Sequence, residues 1–83
     1  MPGYTLHPQV GLREEQFGAL AYHYGNRRLT FLNDEALLAA VRSASLATDI
    51  DTALAEAGVP EERRGAYRIA LARLADAEVL QCT

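Results

Sequence analysis

Two histidines, one cysteine and three pairs of adjacent carboxylates are the residues of this chain whose types could do acid–base, nucleophilic or metal chemistry. His23 is the most conspicuous, set between two tyrosines in the stretch FGALAYHYGNRRLTF, residues 17–31. A histidine acting as a ligand or general base needs a second ligand or a carboxylate at matched spacing. None stands there. His7 lies ahead of the first expected strand, and neither histidine belongs to a helical H-x-x-x-H arrangement. The pairs Glu14-Glu15, Asp34-Glu35 and Glu61-Glu62 fall on turns or helix starts, where capping and the helix dipole explain them. Cys82 has no partner for a disulfide and sits next to the last residue, so its thiol reads as incidental rather than catalytic. Phosphate-binding glycine loops, G-x-S-x-G and C-x-x-C are absent. The chain is therefore not expected to be an enzyme or to carry a cofactor or metal, and His23 is expected on the partly exposed side of a strand.

The elements that position these residues belong to one small domain, residues 1–83. A chain of this length buries only about 60–65% of its unfolded surface, which leaves a thin core and little room for a deep cleft. Apolar residues at 49% and charged ones at 23% are the balance of an ordinary globular domain. The N-terminal residues lack a basic start followed by an apolar run, and no stretch approaches the roughly 18 apolar residues of a membrane span. A cytoplasmic protein without a membrane partner is the expectation. The net charge of −3, with every basic residue an arginine, argues against non-specific attachment to nucleic acid.

Alternation at Gln9–Arg13 predicts a short strand, and residues 17–24 predict a second. Gly25-Asn26 reads as a two-residue hairpin turn, with residues 27–32 returning as a third strand. That loop pairs Tyr24 with Arg27, Tyr22 with Leu29 and Leu20 with Phe31, and the large apolar set so gathered is expected to face the core. Ala19, Ala21, His23, Arg28, Thr30 and Leu32 fall on the opposite face. A helix follows with Asn33 as N-cap; a second runs between a Thr48–Asp51 capping box and Gly58. Pro60 opens a third and longest helix reaching Glu78, with a stripe through Tyr67, Ala70, Leu71 and Leu74. Three antiparallel strands followed by three helices, the last two meeting at a tight turn, predict an α+β domain of winged helix-turn-helix type.

A helix-turn-helix invites a DNA-binding reading, with Arg63, Arg64, Arg68 and Arg73 on the recognition helix. Glu61 and Glu62 at its first turn, and the acidity of the chain, oppose it. The third strand offers something else. It has one neighbour only, so its outer N–H and C=O groups lack partners. Arg27 and Arg28 either blunt that edge or border a site where a peptide adds a fourth strand.

The segment LHPQVGLREEQFGALAYHYGNRRLTFLND, through its pieces LHPQV, FGAL, YH and LTFL, closely resembles the mycofactocin-system peptide chaperones. The helical half, ending YRIALARLADAEVL, fits that family with a looser pattern. The family is similar to the PqqD-like precursor-peptide recognition elements, which are small winged-helix domains. The resemblance implies a chaperone that captures the leader of a short precursor peptide and presents it to a radical S-adenosylmethionine (SAM) maturase, with no chemistry of its own. It also implies a leader site on the third strand and last helix: Arg28, Leu29, Thr30, Phe31 and Leu32, with Arg64, Tyr67, Arg68 and Leu71 as the facing wall. Whether Tyr67 and Leu71 are groove floor or core stays open at this stage. Arg27, Arg28, Arg63, Arg64 and Arg68 near that groove lead us to expect a leader rich in Glu and Asp with interspersed Val, Leu or Ile. The acidic outer faces of the helices are candidates for docking the maturase or are simply solvated.

Overall fold

A computed structural model describes residues 3–83. The chain forms β1 (Tyr4–Leu6), β2 (Val10–Glu15), β3 (Gly18–His23), β4 (Leu29–Leu32), α1 (Glu35–Arg42), α2 (Ile50–Glu56), α3 (Arg64–Asp76) and β5 (Leu80–Cys82). Short 3-10 turns at Ala44–Ala47 and Glu61–Arg63 precede α2 and α3. The expected three-stranded antiparallel sheet is present in the order β2-β3-β4, and the three helices follow it, giving an α+β fold. A second sheet was not foreseen. β1 and β5 pair antiparallel, Tyr4 with Cys82 and Leu6 with Leu80, and so bring the two ends of the described chain together.

The register of the main hairpin agrees with the expectation: Tyr22 pairs with Leu29 and Leu20 with Phe31. Its turn does not. The Tyr24 N–H donates to the Gln9 carbonyl instead of pairing with Arg27, and the Arg27 N–H reaches back to the His23 carbonyl at 2.7 Å. Arg27, not Gly25 or Asn26, takes the positive φ of 62°. A four-residue reversal over residues 24–27 sets the same register as a two-residue one, which is why the pairing survives the longer turn.

The two faces of the sheet are inverted relative to the sequence reading. Ala19, Ala21, His23 and Leu32 are buried under the helices. Tyr24, Leu29 and Phe31 remain 66%, 61% and 50% exposed on the other side. Small side chains explain the inversion. Ala19 and Ala21 let α1 approach β3 closely, and the volume of the core is supplied from the helices and β5 by Leu46, Leu54, Leu71 and Leu80. At the start of β3, Gly18 (φ 152°) is required, since a Cβ there would lie 2.1 Å from the Leu32 carbonyl oxygen.

Caps also shift. Asp34, not Asn33, caps α1, its side chain accepting from the Leu37 N–H, and Asp49, not Thr48, caps α2 through the Asp51 N–H. Gly58 is the left-handed residue that ends α2, with the Val59 N–H on the Leu54 carbonyl and the Gly58 N–H on the Ala55 carbonyl. The same pair of bonds ends α3, where Glu78 holds the position that glycine usually takes, at φ 64°. The expected Pro60–Glu78 helix is therefore a 3-10 turn followed by α3, which stops at Asp76, and β5 comes after it. No helix among the described residues is long and apolar enough to cross a membrane.

Candidate functional site

Backbone phase on β4 follows from one bond. The His23 N–H donates to the Arg28 carbonyl, so Arg28 points inward to β3. Antiparallel alternation then turns Thr30 inward as well and sends the N–H and C=O of Leu29 and Phe31 outward. The outer edge of β4 has no neighbouring strand in its sheet. Two residues with free backbone groups, one residue apart, are thus presented along it.

A second wall stands alongside. The Asn26 side-chain amide donates through Nδ2 to the Glu78 carboxylate at 3.1 Å, just past the end of α3, and a hollow there is lined by Asn26, Arg28, Asp76 and Glu78. At the other end, the Tyr67 hydroxyl donates to Asp34 at 2.8 Å. A hollow at that end is lined by Asp34, Leu37, Arg63, Ala66, Tyr67 and Ala70. The chain from Arg28 to Asp34 spans about 20 Å as a strand, and Tyr67 to Glu78 about 16 Å as a helix. β4 and α3 therefore run antiparallel, tied at both ends, with a trough against α3 at the Asp34–Tyr67 tie.

The trough meets one flank of α3 only. Arg63, Ala66, Tyr67 and Ala70 line it. Arg64 and Arg68 lie on the opposite flank: Arg64 donates through Nε to the Val59 carbonyl at 3.3 Å, and Arg68 forms an ion pair with Asp51 of α2. Leu71 is fully buried and belongs to the core, and Tyr67 is buried except toward the hollow. On the strand, Leu32 is core, Thr30 is half-buried on the helix side, and Arg28 is exposed. Sequence reasoning placed Arg63 near the groove but not in its wall, and missed Ala66 and Ala70, although the i, i+3 and i+7 spacing of the three marks a helical stripe beside the one it chose. Sequence reasoning has Asp34 at the start of a helix and among the acidic docking candidates, not at the leader site.

Electrostatics distinguish the two ends. Burial acts to raise the Asp34 carboxyl, but hydrogen bonds from Tyr67 and from the Leu37 and Ala36 amides, with the charge of Arg63, hold it below the ordinary 3.8. The bond to Asp34, then burial, pushes the Tyr67 hydroxyl up from its usual 10.0. The Arg63 guanidinium lies over the Tyr67 ring, 5.8 Å from its centroid, and makes no ion pair among the described residues. It is the available cation at that end of the trough.

His23 is 3% exposed and not on the surface, which corrects the expectation. Its Nδ1 accepts from the Gly25 and Asn26 amides, both at 3.0 Å, and so shapes the turn that launches β4. Its ring lies 4.5 Å from that of His7, and its Nε2 is buried without a hydrogen bond, 3.6 Å from Glu78. The histidine builds the site from behind and does not line it.

Residues 3–81 match the model of the Peptide chaperone MftB family. The chain is 44% identical over 78 residues to a protein of Mycobacterium ulcerans named peptide chaperone MftB, covering 94% of this chain and 72% of that one. The equally named protein of Mycobacterium tuberculosis is 44% identical with the same coverage. That of Mycolicibacterium smegmatis is 39% identical over 93% of this chain and 76% of its own. No solved structure matches. With a family match that spans nearly the whole chain and relatives at this identity, the chain belongs to the Peptide chaperone MftB family.

Proposed function

We propose that this protein binds the leader of a ribosomally made precursor peptide by strand addition to β4 and presents it to a radical SAM maturase in mycofactocin biosynthesis. The observation that carries this reading is the pair of outward backbone groups at Leu29 and Phe31, on a strand edge whose two flanks are tied to α3. Main-chain bonds to an added strand provide affinity that depends little on sequence, and side chains beside the strand provide selectivity. Relatives that carry the name peptide chaperone support a peptide as the partner. In this reading the domain is of winged-helix type, works in the cytoplasm and performs no chemistry. Its contribution is effective concentration: a leader held on a protein that also docks to the maturase makes delivery of the distal residues intramolecular.

Within the site, Arg28 to Leu32 supply the strand, and Tyr67, braced by Leu71 from the core, supplies the wall. Arg63 at one end and Arg28 at the other meet carboxylates of an acidic leader. Arg64 and Arg68, engaged with α2, act on it only as more distant charges.

Titration calorimetry with a synthetic leader of a mycofactocin precursor peptide tests this. Saturable binding is expected, and N-methylation of the leader should abolish it at alternate positions while leaving the intervening ones unaffected. Tolerance of N-methylation at every position would overturn strand addition, and no heat at high micromolar peptide would overturn the function.

A further inference from the structure

The face of the sheet turned away from the helices carries two rows that run across its strands. One is Gly11, Tyr22 and Leu29; the other is Arg13, Leu20 and Phe31. Exposure rises toward the edge: Leu20 and Tyr22 are half-buried by their neighbours, whereas Leu29 and Phe31, last in each row, are 61% and 50% exposed. The space that a neighbouring side chain would fill is where the next strand would lie.

The residues whose backbone groups point outward are also those whose side chains end the rows. In an antiparallel addition, a peptide residue that bonds the Leu29 or Phe31 backbone stands directly opposite it and projects its side chain on the same face. Whatever pairs with these two residues therefore also covers them. The intervening peptide residue stands next to Thr30 and faces the helix side. We infer that the peptide is read on the open face of the sheet: two residues spaced i and i+2, aliphatic or aromatic, pack on Leu29 and Phe31 and complete the two rows. This inference rests on the strand addition proposed above and specifies the substrate class of that site.

Threonine at both positions, L29T/F31T, supplies β-branched strand formers while removing the apolar cover. Leader affinity is expected to fall about tenfold, as the loss of two cross-strand pairs implies. Replacing the two opposing apolar residues of the leader by Ser should weaken wild-type binding to the same extent and add nothing to the double variant. In the unmutated protein, nuclear Overhauser effects should connect leader methyl or ring protons with Leu29 and Phe31, which decides the matter even if the variant folds poorly. Wild-type binding with unchanged affinity in L29T/F31T and no such effects would overturn the open-face reading and leave strand addition standing. No binding by the wild type would overturn both.

Discussion

Replacing His23 by Leu separates the architectural role of this side chain from any chemical one. Leucine keeps an apolar filling for a site that is 3% exposed but cannot accept the Gly25 and Asn26 amides, each now 3.0 Å from Nδ1. Each lost bond costs about 1 kcal/mol net. Gly25 and Asn26 are exposed, so water replaces part of that bonding, and the expected loss is about 1–2 kcal/mol. For a domain of this size that lowers Tm by about 5–15 °C. Denaturant unfolding with an unchanged m-value gives the magnitude, and amide exchange gives the place: Gly25 and Asn26 should lose protection before Ala19 or Ala21. A variant within about 0.5 kcal/mol of wild type, with those two amides as protected as before, would refute the turn-building role.

Four further outcomes are expected. Y67F removes the bond to Asp34 and costs about 1 kcal/mol at neutral pH. Because the folded pKa of Asp34 lies below its unfolded value, its contribution is complete above about pH 4 and is lost as pH falls through the folded value. Urea unfolding at pH 7 and pH 3 should therefore show the gap between Y67F and wild type narrowing in acid. L71A leaves a cavity at a fully buried site and should cost about 2–5 kcal/mol by the same assay. E78G relieves a left-handed backbone at φ 64° worth about 1 kcal/mol but loses the Asn26 contact, so stability should change little while Asn26 exchanges faster. R63E should weaken leader binding by about tenfold, a loss of a charge-assisted contact, and R68E by less than about threefold, since Arg68 is engaged with Asp51 on the other flank. Equal effects, measured by calorimetry at low salt, would place the groove elsewhere.

Pairing was legible in the sequence where period and length constrained it. The period-two pattern from Gly18 to Leu32 admitted one register, and the alternative reversal at residues 24–27 did not change it. The direction of each face was not legible, because the reading assigned large apolar side chains to the core by size. Here the helices bring the large residues and the strand answers with Ala19 and Ala21, a complementarity that no local window contains. β1 and β5 escaped for a related reason: three-residue strands carry almost no periodic signal, and their partners lie at opposite ends of the chain. On α3, the stripe chosen from spacing included Leu71 and Arg68, which the fold commits to the core and to α2, while the neighbouring stripe with Arg63, Ala66 and Ala70 lines the trough. Helical spacing names the stripes; only the position of β4 and Asp34 selects between them.

The clasp between β1 and β5 bears on the order in which the fold is completed. Its contacts join residues at opposite ends of the chain, from the Leu6–Leu80 pair to the Thr83 N–H on the Gly3 carbonyl, whereas the β2–β3–β4 meander and the helix pairs are built from near neighbours. Closing so long a loop carries an entropic cost that shorter contacts do not, so the meander and helices are expected to form first and the clasp last. Leu80 is nevertheless a fully buried core residue. During synthesis the domain therefore waits, with the space for Leu80 unfilled, until its final strand has emerged.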